Sequence, residues 1–152
     1  MHDRRVARIV RACQELPGQH LFQYIDDDGA RQAITSSDVN DYLRRTTGEE
    51  ITAKDFRTWA GTVLAAEALA RLGAAERQTD AKKALAVVIK EVAARLGNTP
   101  TICRKCYIHP AIQDAYLAGE LELGLAATQE GQDAGLRPEE AAVLAFLEAR
   151  SV

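Results

Sequence analysis

Cysteine is scarce in this chain, and it has neither a long apolar run nor an apolar leader. Its 152 residues include three cysteines, an odd number that does not form a disulfide framework, so we expect a protein of the reducing cytoplasm. No apolar run approaches the roughly 20 residues that span a bilayer. The first residues, MHDRRVARIV, lack the apolar core of a signal peptide, and no membrane partner is expected.

Charge is distributed unevenly along the chain. Residues 110–152 contain eight acidic and two basic side chains, while the whole chain carries −3, which leaves +3 for residues 1–109. Between Lys82 and Lys105 there are six basic residues and one acidic residue, Glu91. A basic face of this kind can bind phosphate on an acidic protein, although a solvated helix face explains the same pattern.

Apolar periodicity predicts a mainly α fold. The segment RRVARIVRACQEL has apolar residues at helical spacing and is followed by Pro17-Gly18. Further helices are predicted at five places: after a cap at Ser36 or Ser37, from about Thr52 to Gly73, over residues 80–96 before Gly97, over residues 110–118 before Gly119, and from Pro138 to about Ala149.

Between the first two helices, HLFQYIDDDGARQAI predicts a short β-hairpin near residues 20–35. Asp28-Gly29 is a strong hairpin-turn signal. A calcium loop is the alternative for Asp26 and Asp28, but Ser37 stands where such a loop needs an acid, so the turn is favoured. Residues 127–135, ATQEGQDAG, are predicted to form a polar loop.

The segment LGNTPTICRKCYIHP, residues 96–110, offers three kinds of chemistry. Thr99-Pro100 predicts a helix start and His109-Pro110 an interruption. Cys103, Cys106 and His109 could be zinc ligands, but a closed site needs a fourth ligand and no second paired motif exists. A redox CxxC would follow a strand, and none is predicted here. The cysteines are therefore interpreted as packing residues.

The third possibility in this segment is Tyr107. A lone tyrosine in a helix is usually a core residue, and a free phenol, with a pKa of about 10, is a poor nucleophile at neutral pH. Cations and hydrogen-bond donors can make it useful. Gly61, inside the long helix, costs about 1 kcal/mol against alanine. Close approach of another segment or local tolerance would each explain it.

Three stretches, KDFRTWAGT, LGNTPTICRKCYIHP and LPGQHLFQYIDDDG, together resemble the catalytic region of type IB DNA topoisomerases of the bacterial, poxvirus-like group. The resemblance covers nearly residues 1–120, which it implies are the C-terminal part of a helical catalytic domain of the topoisomerase IB and tyrosine recombinase type. Residues 121–152 are expected to be an acidic loop and a C-terminal helix packed on the same domain.

The resemblance also implies an activity. Family members break one strand of duplex DNA through a 3′-phosphotyrosyl bond and reseal it, relaxing supercoils without ATP, metal or cofactor. By position, Tyr107 is the nucleophile, Arg57 is one of two arginines on the scissile phosphate, and Asn98 stands where many members have histidine. Lys54, Arg104 and Lys105 are expected to contact DNA.

Two elements of the family's site have no match in these residues: the first arginine and the lysine general acid of an upstream hairpin. We therefore expect an inactive or weakly active fragment, a nucleoid-associated cytoplasmic monomer that contacts mainly the backbone of duplex DNA. Two alternatives stay open. One is a tyrosine recombinase or integrase fragment, although Arg57-Thr58 and Leu96-Gly97-Asn98 depart from the pattern of that family. The other is a non-catalytic helical binding module.

Overall fold

The computed structural model describes residues 3–124 and 135–150. It is mostly helical with one two-stranded antiparallel hairpin, and the predicted mainly α fold class is confirmed. In chain order the elements are α1 (Arg4–Gln14), β1 (Gln23–Ile25), β2 (Arg31–Ala33), α2 (Ser36–Thr47), α3 (Ala53–Leu72), α4 (Gln78–Leu96), α5 (Pro100–Cys106), α6 (Pro110–Ala118) and α7 (Pro138–Glu148). The chain divides into two compact units, residues 1–53 and residues 54–152.

The first unit contains the hairpin, in which Tyr24 pairs with Gln32. Its turn is closed by Asp26, whose carboxylate accepts hydrogen bonds from the Ala30 backbone N–H at 2.8 Å and from the Gln32 side chain at 2.8 Å. Gly29 takes the left-handed conformation that the turn requires, with φ of 77°. The hydrogen bond from Gln32, followed by that from Ala30, lowers the pKa of Asp26. The turn interpretation of this segment therefore has a direct structural basis.

The cap of α2 differs from the prediction. The structure places Thr35 there, and the prediction of Ser36 or Ser37 is wrong. The Thr35 hydroxyl accepts from the Asp38 backbone N–H at 3.3 Å, while the Asp38 carboxylate accepts from the Thr35 backbone N–H at 2.7 Å. This reciprocal capping box needs an acid or amide side chain three residues after the cap. Only Thr35 combines a β-region backbone at the helix start with Asp38 at that spacing.

Residues 3–53 have little buried surface of their own. None of them falls in the buried class, and apolar side chains such as Val6, Ile9 and Ile25 are at least half exposed. The local order of this unit therefore depends on its turn, its hairpin and its helix caps, among them Asp3, which accepts from the Arg5 and Val6 backbone N–H groups before α1.

The second unit has a continuous apolar core. It is built from one face each of α3, α4, α5, α6 and α7, and its largest fully buried side chains are Leu69, Ile112, Val63, Val143, Thr62 and Cys103. Both α4 and α6 end at a left-handed glycine, Gly97 and Gly119, as the sequence predicts. Val143 of α7 belongs to the same core cluster, so the C-terminal helix packs on this unit.

The predicted polar loop over residues 127–135 lies, apart from Gly135, outside the described residues. None of the helices in the described ranges combines the length and the apolar character needed to cross a membrane.

Candidate functional site

Arg57 lies on the exposed side of the first half of α3. Its Nη2 atom donates a hydrogen bond to the Leu96 backbone carbonyl, with an N···O distance of 2.6 Å. That carbonyl belongs to the last residue of α4, where carbonyl groups lack intrahelical partners and carry the partial negative charge of the helix terminus. Packing of α3 and α4 in one core thus brings Arg57 to the end of α4, 39 residues later in the chain.

Asn98 lies just beyond the same helix end. Gly97 turns the backbone with φ of 66°, and the Asn98 backbone N–H then donates to the Ala93 carbonyl at 2.9 Å, a helix-terminating bond. The Asn98 side-chain Nδ2 donates to the Leu96 carbonyl at 3.0 Å. Asn98 therefore has a capping role through its backbone and presents its amide beside Arg57.

Tyr107 stands directly after α5 and outside it. The sequence predicts a helix that continues to the break at His109-Pro110, but α5 ends at Cys106 and Tyr107 is its C-cap, with φ of −126° and ψ of 1°. The helix is shorter than predicted because side chains of α3 and α6 form hydrogen bonds with the backbone groups beyond Cys106. The tyrosine is half-buried, and the Arg57 guanidinium carbon lies 5.2 Å from the centroid of its ring, within the range of a cation–π contact.

The three residues that the resemblance identifies as catalytic are therefore brought together. Arg57 and Asn98 share one acceptor oxygen, the Leu96 carbonyl, and Arg57 also covers the ring of Tyr107. A carbonyl oxygen and a non-bridging phosphate oxygen accept the same N–H donors, and the phosphate accepts them more strongly because it is charged. The arrangement can hold an oxyanion beside a phenol.

The backbone around Tyr107 is contacted by one face of α3. The Thr58 hydroxyl lies 3.1 Å from the Cys106 carbonyl and 3.0 Å from the Lys54 carbonyl. The Thr62 hydroxyl accepts from the His109 backbone N–H at 3.0 Å. Between them, Gly61 is packed so closely on this segment that a Cβ atom there would overlap the Tyr107 carbonyl oxygen. Of the two explanations for Gly61, close approach is the one that the geometry supports.

Gln113 of α6 contacts the same segment from another side. It is 8% exposed, and its Nε2 atom donates to the Arg104 carbonyl at 3.1 Å and to the Ile108 carbonyl at 3.2 Å. These carbonyls lie on either side of Tyr107. Sequence reasoning did not identify Thr58, Thr62 or Gln113, and only the helical glycine offered a signal for this contact.

The three predicted DNA contacts occupy exposed positions. Lys54 lies in the first turn of α3, one turn before Arg57, and Arg104 and Lys105 form the last turn of α5, immediately before Cys106 and Tyr107. All three are thus near a catalytic candidate in the chain and accessible from solvent.

The cysteines are not arranged for metal or redox chemistry. Cys103 is fully buried, and burial raises the pKa of its thiol, which disfavours the thiolate that either chemistry needs. Cys106 is half-buried, and the His109 Nδ1 accepts from the Ala111 backbone N–H as the cap of α6. Within residues 3–124 and 135–150, no three His, Cys, Asp or Glu side chains are grouped as metal ligands.

α7 begins with a charge-assisted cap. Glu140 pairs with the Arg137 side chain at 3.0 Å and accepts from the Arg137 backbone N–H at 2.9 Å. These two hydrogen bonds are the largest causes of the lowered pKa of Glu140.

Comparison with known proteins places this chain in a family. Residues 2–119, more than three quarters of the chain, match the family model described as the catalytic core of eukaryotic DNA topoisomerase I. A DNA topoisomerase 1B of Acanthamoeba polyphaga mimivirus is 31% identical over 106 residues, a match that covers 65% of this chain and 32% of the viral protein. The chain therefore spans about a third of the length of that relative. Arg57, Asn98 and Tyr107 all lie within the matched residues, and the chain belongs to the catalytic-core family of type IB DNA topoisomerases.

Proposed function

We propose that this chain carries the tyrosine half of a type IB DNA topoisomerase site, and that its residues 1–120 correspond to the C-terminal part of the catalytic domain. In this proposal Tyr107 attacks a phosphodiester of duplex DNA, and Arg57 and Asn98 hold the phosphate under attack. The function rests on family membership and on the geometry of the three residues.

The observation that carries the proposal is the shared acceptor at the end of α4. Arg57 and Asn98 converge on one oxygen atom, and the Arg57 guanidinium also lies against the Tyr107 ring. Donors that already point at a common acceptor need little reorganisation to hold an oxyanion, and this is how preorganised sites stabilise developing charge. Phosphoryl transfer depends mainly on such positioning and charge stabilisation.

The chemical step is a transesterification. The Tyr107 phenol oxygen forms a bond to phosphorus and loses its proton to solvent, while the bond from phosphorus to the 5′-bridging oxygen breaks. That oxygen leaves with the bonding electron pair and takes up one proton. Resealing reverses each change, so neither ATP nor a redox partner is consumed.

The leaving oxygen needs an acid that the identified residues do not supply. Arg57 is too basic to give up its proton, and an asparagine amide has none to give. Loss of general-acid catalysis lowers a rate by about 10²–10⁴-fold. We therefore propose that the 152 residues alone bind duplex DNA weakly, as a monomer, through Lys54, Arg104 and Lys105, and relax supercoiled DNA only slowly.

This proposal can be tested with a substrate that needs no acid. In a duplex whose 5′-bridging oxygen is replaced by sulfur, the leaving group is a thiolate, whose conjugate acid has a pKa of about 8.5. A pool of duplexes with sulfur at different positions removes the need to know a preferred site. We expect the chain to form a covalent protein–DNA adduct with the sulfur duplexes about 100-fold or more faster than with ordinary duplexes, because the general acid becomes unnecessary.

The matched controls are two tyrosine variants. Tyr107→Phe removes the proposed nucleophile and should abolish the adduct. Tyr42→Phe makes the same change at a 60% exposed position on α2 and should leave the adduct unchanged. An adduct that survives in Tyr107→Phe, or no adduct with any sulfur duplex, would overturn the proposed function.

A further inference from the structure

The backbone segment that carries Tyr107 is contacted by residues of two other helices, α3 and α6. Resting on the proposed function, we propose that four residues position the nucleophile through its backbone: Thr58, Gly61, Thr62 and Gln113. They are positioning residues, since the contacts of each with residues 104–109 are to backbone atoms.

The four residues form a cradle around residues 104–109. Its α3 side has a regular construction. Gly61 and Thr62 lie three and four residues after Thr58, so the three residues form one stripe along the helix. The two hydroxyl groups contact the Cys106 carbonyl and the His109 N–H, the residues one before and two after Tyr107. The glycine between them admits the Tyr107 carbonyl to the helix surface. The stripe therefore fixes the peptide groups on both sides of the tyrosine.

The α6 side completes the cradle. After α5 ends at Cys106, the carbonyls of residues 104 and 108 lack helical partners, and a carbonyl left without a partner inside a protein is destabilising. The Gln113 amide donates to both. One side chain thus joins the last turn of α5 to the start of α6 across Tyr107, and it sets the distance between those two points.

The same helix that holds the backbone of Tyr107 also carries Arg57. Arg57 precedes Thr58 by one residue and faces the Tyr107 ring, while Thr58 faces the Cys106 carbonyl. A rigid α3 therefore fixes the position of Tyr107 relative to Arg57, one of the two residues proposed to bind the phosphate. Displacement of a reacting group by about 1 Å can cost about 10²-fold in rate, so the cradle bears directly on catalysis.

The position of the Tyr107 ring can be measured without any reaction. A ring shifts the NMR resonances of protons over its face, so the Arg57 side-chain protons should show a shift that Tyr107→Leu removes. Thr62→Val loses the hydroxyl that holds His109, and Gly61→Ala forces the two segments apart. We expect both variants to lose most of the Arg57 shift in the full 152-residue chain, and Thr62→Ser to keep it.

The matched control is Thr47→Val on α2. It removes a hydroxyl that donates to the Leu43 carbonyl at 2.8 Å, a hydrogen bond within α2. Thr47→Val should keep the Arg57 shift. If Gly61→Ala prevents folding, Thr62→Val and Thr58→Val carry the same test. Retention of the shift in Thr62→Val and Thr58→Val, or its equal loss in Thr47→Val, would overturn the positioning role.

The reaction provides a second readout. With sulfur-containing duplex at saturation, we expect Thr62→Val to slow adduct formation about 10- to 100-fold. The duplex concentration for half-maximal rate should stay unchanged, and Thr62→Ser should restore the rate. Absence of any adduct in the unmodified chain would contradict the proposed function, while the Arg57 shift would still decide the positioning role. A variant that raises the half-maximal concentration without slowing the saturated rate would contradict positioning.

Discussion

At the scale of single residues, Arg57 does two things that a lysine could not do together. Its planar guanidinium donates to the Leu96 carbonyl and lies against the Tyr107 ring. A lysine ammonium keeps the charge but lacks the planar fork that binds two phosphate oxygens. We predict that Arg57→Lys slows covalent adduct formation at least about 10-fold, since a charge-assisted hydrogen bond is worth about 1.5–3 kcal/mol.

The comparison for this prediction is Arg71→Lys, measured in the same adduct assay. Arg71 lies in the last turn of α3 and pairs with Glu67, so the substitution tests loss of a guanidinium on the same helix away from Tyr107. Adduct formation that is equally fast in Arg57→Lys and in the unmodified chain would exclude Arg57 from the phosphate site.

A second prediction for a single residue concerns Asn98 and the pH dependence of adduct formation. An asparagine amide donates a hydrogen bond at every pH, whereas an imidazole with a pKa near 6.5 gains charge as the pH falls. We predict that the ratio of adduct rates, Asn98→His over unmodified chain, rises as the pH falls from about 8 to about 5.5. Taking the ratio removes the pH dependence that both proteins share. A flat ratio would mean that position 98 does not contact the phosphate.

At the scale of secondary-structure elements, the cap of α7 makes a pH-dependent contribution to the stability of the fold. The pKa of Glu140 is lowered, first by the Arg137 side chain, so its carboxylate is stabilised in the folded protein. A carboxyl group whose pKa is lowered on folding adds stability above its unfolded pKa of about 4.3, and that stability disappears as the pH falls through the folded value.

We therefore predict that Glu140→Gln lowers the melting temperature at pH 7, and that the difference from the unmodified chain closes as the pH falls below about 4. Thermal melts at a series of pH values provide the measurement. Glu148→Gln, at the exposed end of the same helix, should change the melting temperature little at any pH. A difference for Glu140→Gln that stays constant with pH would assign its effect to packing.

Elements were predictable where a local signal decided them. Gly97 and Gly119 mark helix ends because glycine takes the left-handed conformation easily, and Thr99-Pro100 marks a start because both residues suit a helix N-terminus. The wrong cap of α2 was a local error, since Thr35 and Asp38 are three residues apart. The end of α5 was missed because contacts distant in the chain decide it. α5 ends before the predicted break because Thr62 and Gln113, from other helices, bind the backbone beyond Cys106.

At the scale of the whole molecule, the convergence of Arg57 and Asn98 could not be predicted from their spacing in the sequence. Arg57 and Asn98 meet at the Leu96 carbonyl, a backbone group that no residue type reveals. The resemblance to type IB topoisomerases supplied the three catalytic candidates, and the folded chain supplied the common acceptor of Arg57 and Asn98. Gly61 is a partial exception, because close packing was one of the two explanations that the sequence offered for a glycine inside a helix, and the structure decides between them.

The exposed basic residues lead to a prediction about how DNA affinity depends on salt concentration. The whole chain carries −3, yet Lys54, Arg104 and Lys105 are exposed near the catalytic candidates. If they bind backbone phosphates, the logarithm of DNA affinity should fall linearly with the logarithm of salt concentration, by about 0.9 for each contact. We predict that the Arg104→Ala, Lys105→Ala double variant makes this slope about 1.8 units shallower.

Arg71→Ala serves as the control for that titration, because Arg71 is paired with Glu67 and is not among the proposed contacts. It should leave the salt slope unchanged. A slope near zero in the unmodified chain would favour the alternative of a binding module without nucleic-acid contacts.

Tyr107 is the residue that we propose becomes covalently joined to DNA, and peptide mapping of the adduct identifies the joined residue. After capture on sulfur-containing duplex and digestion of both protein and DNA, mass spectrometry should locate a 3′-linked nucleotide on the peptide that contains Tyr107. The Tyr107→Phe chain should yield no modified peptide. A nucleotide found on any other residue, or a modified peptide from Tyr107→Phe, would rule out Tyr107 as the nucleophile.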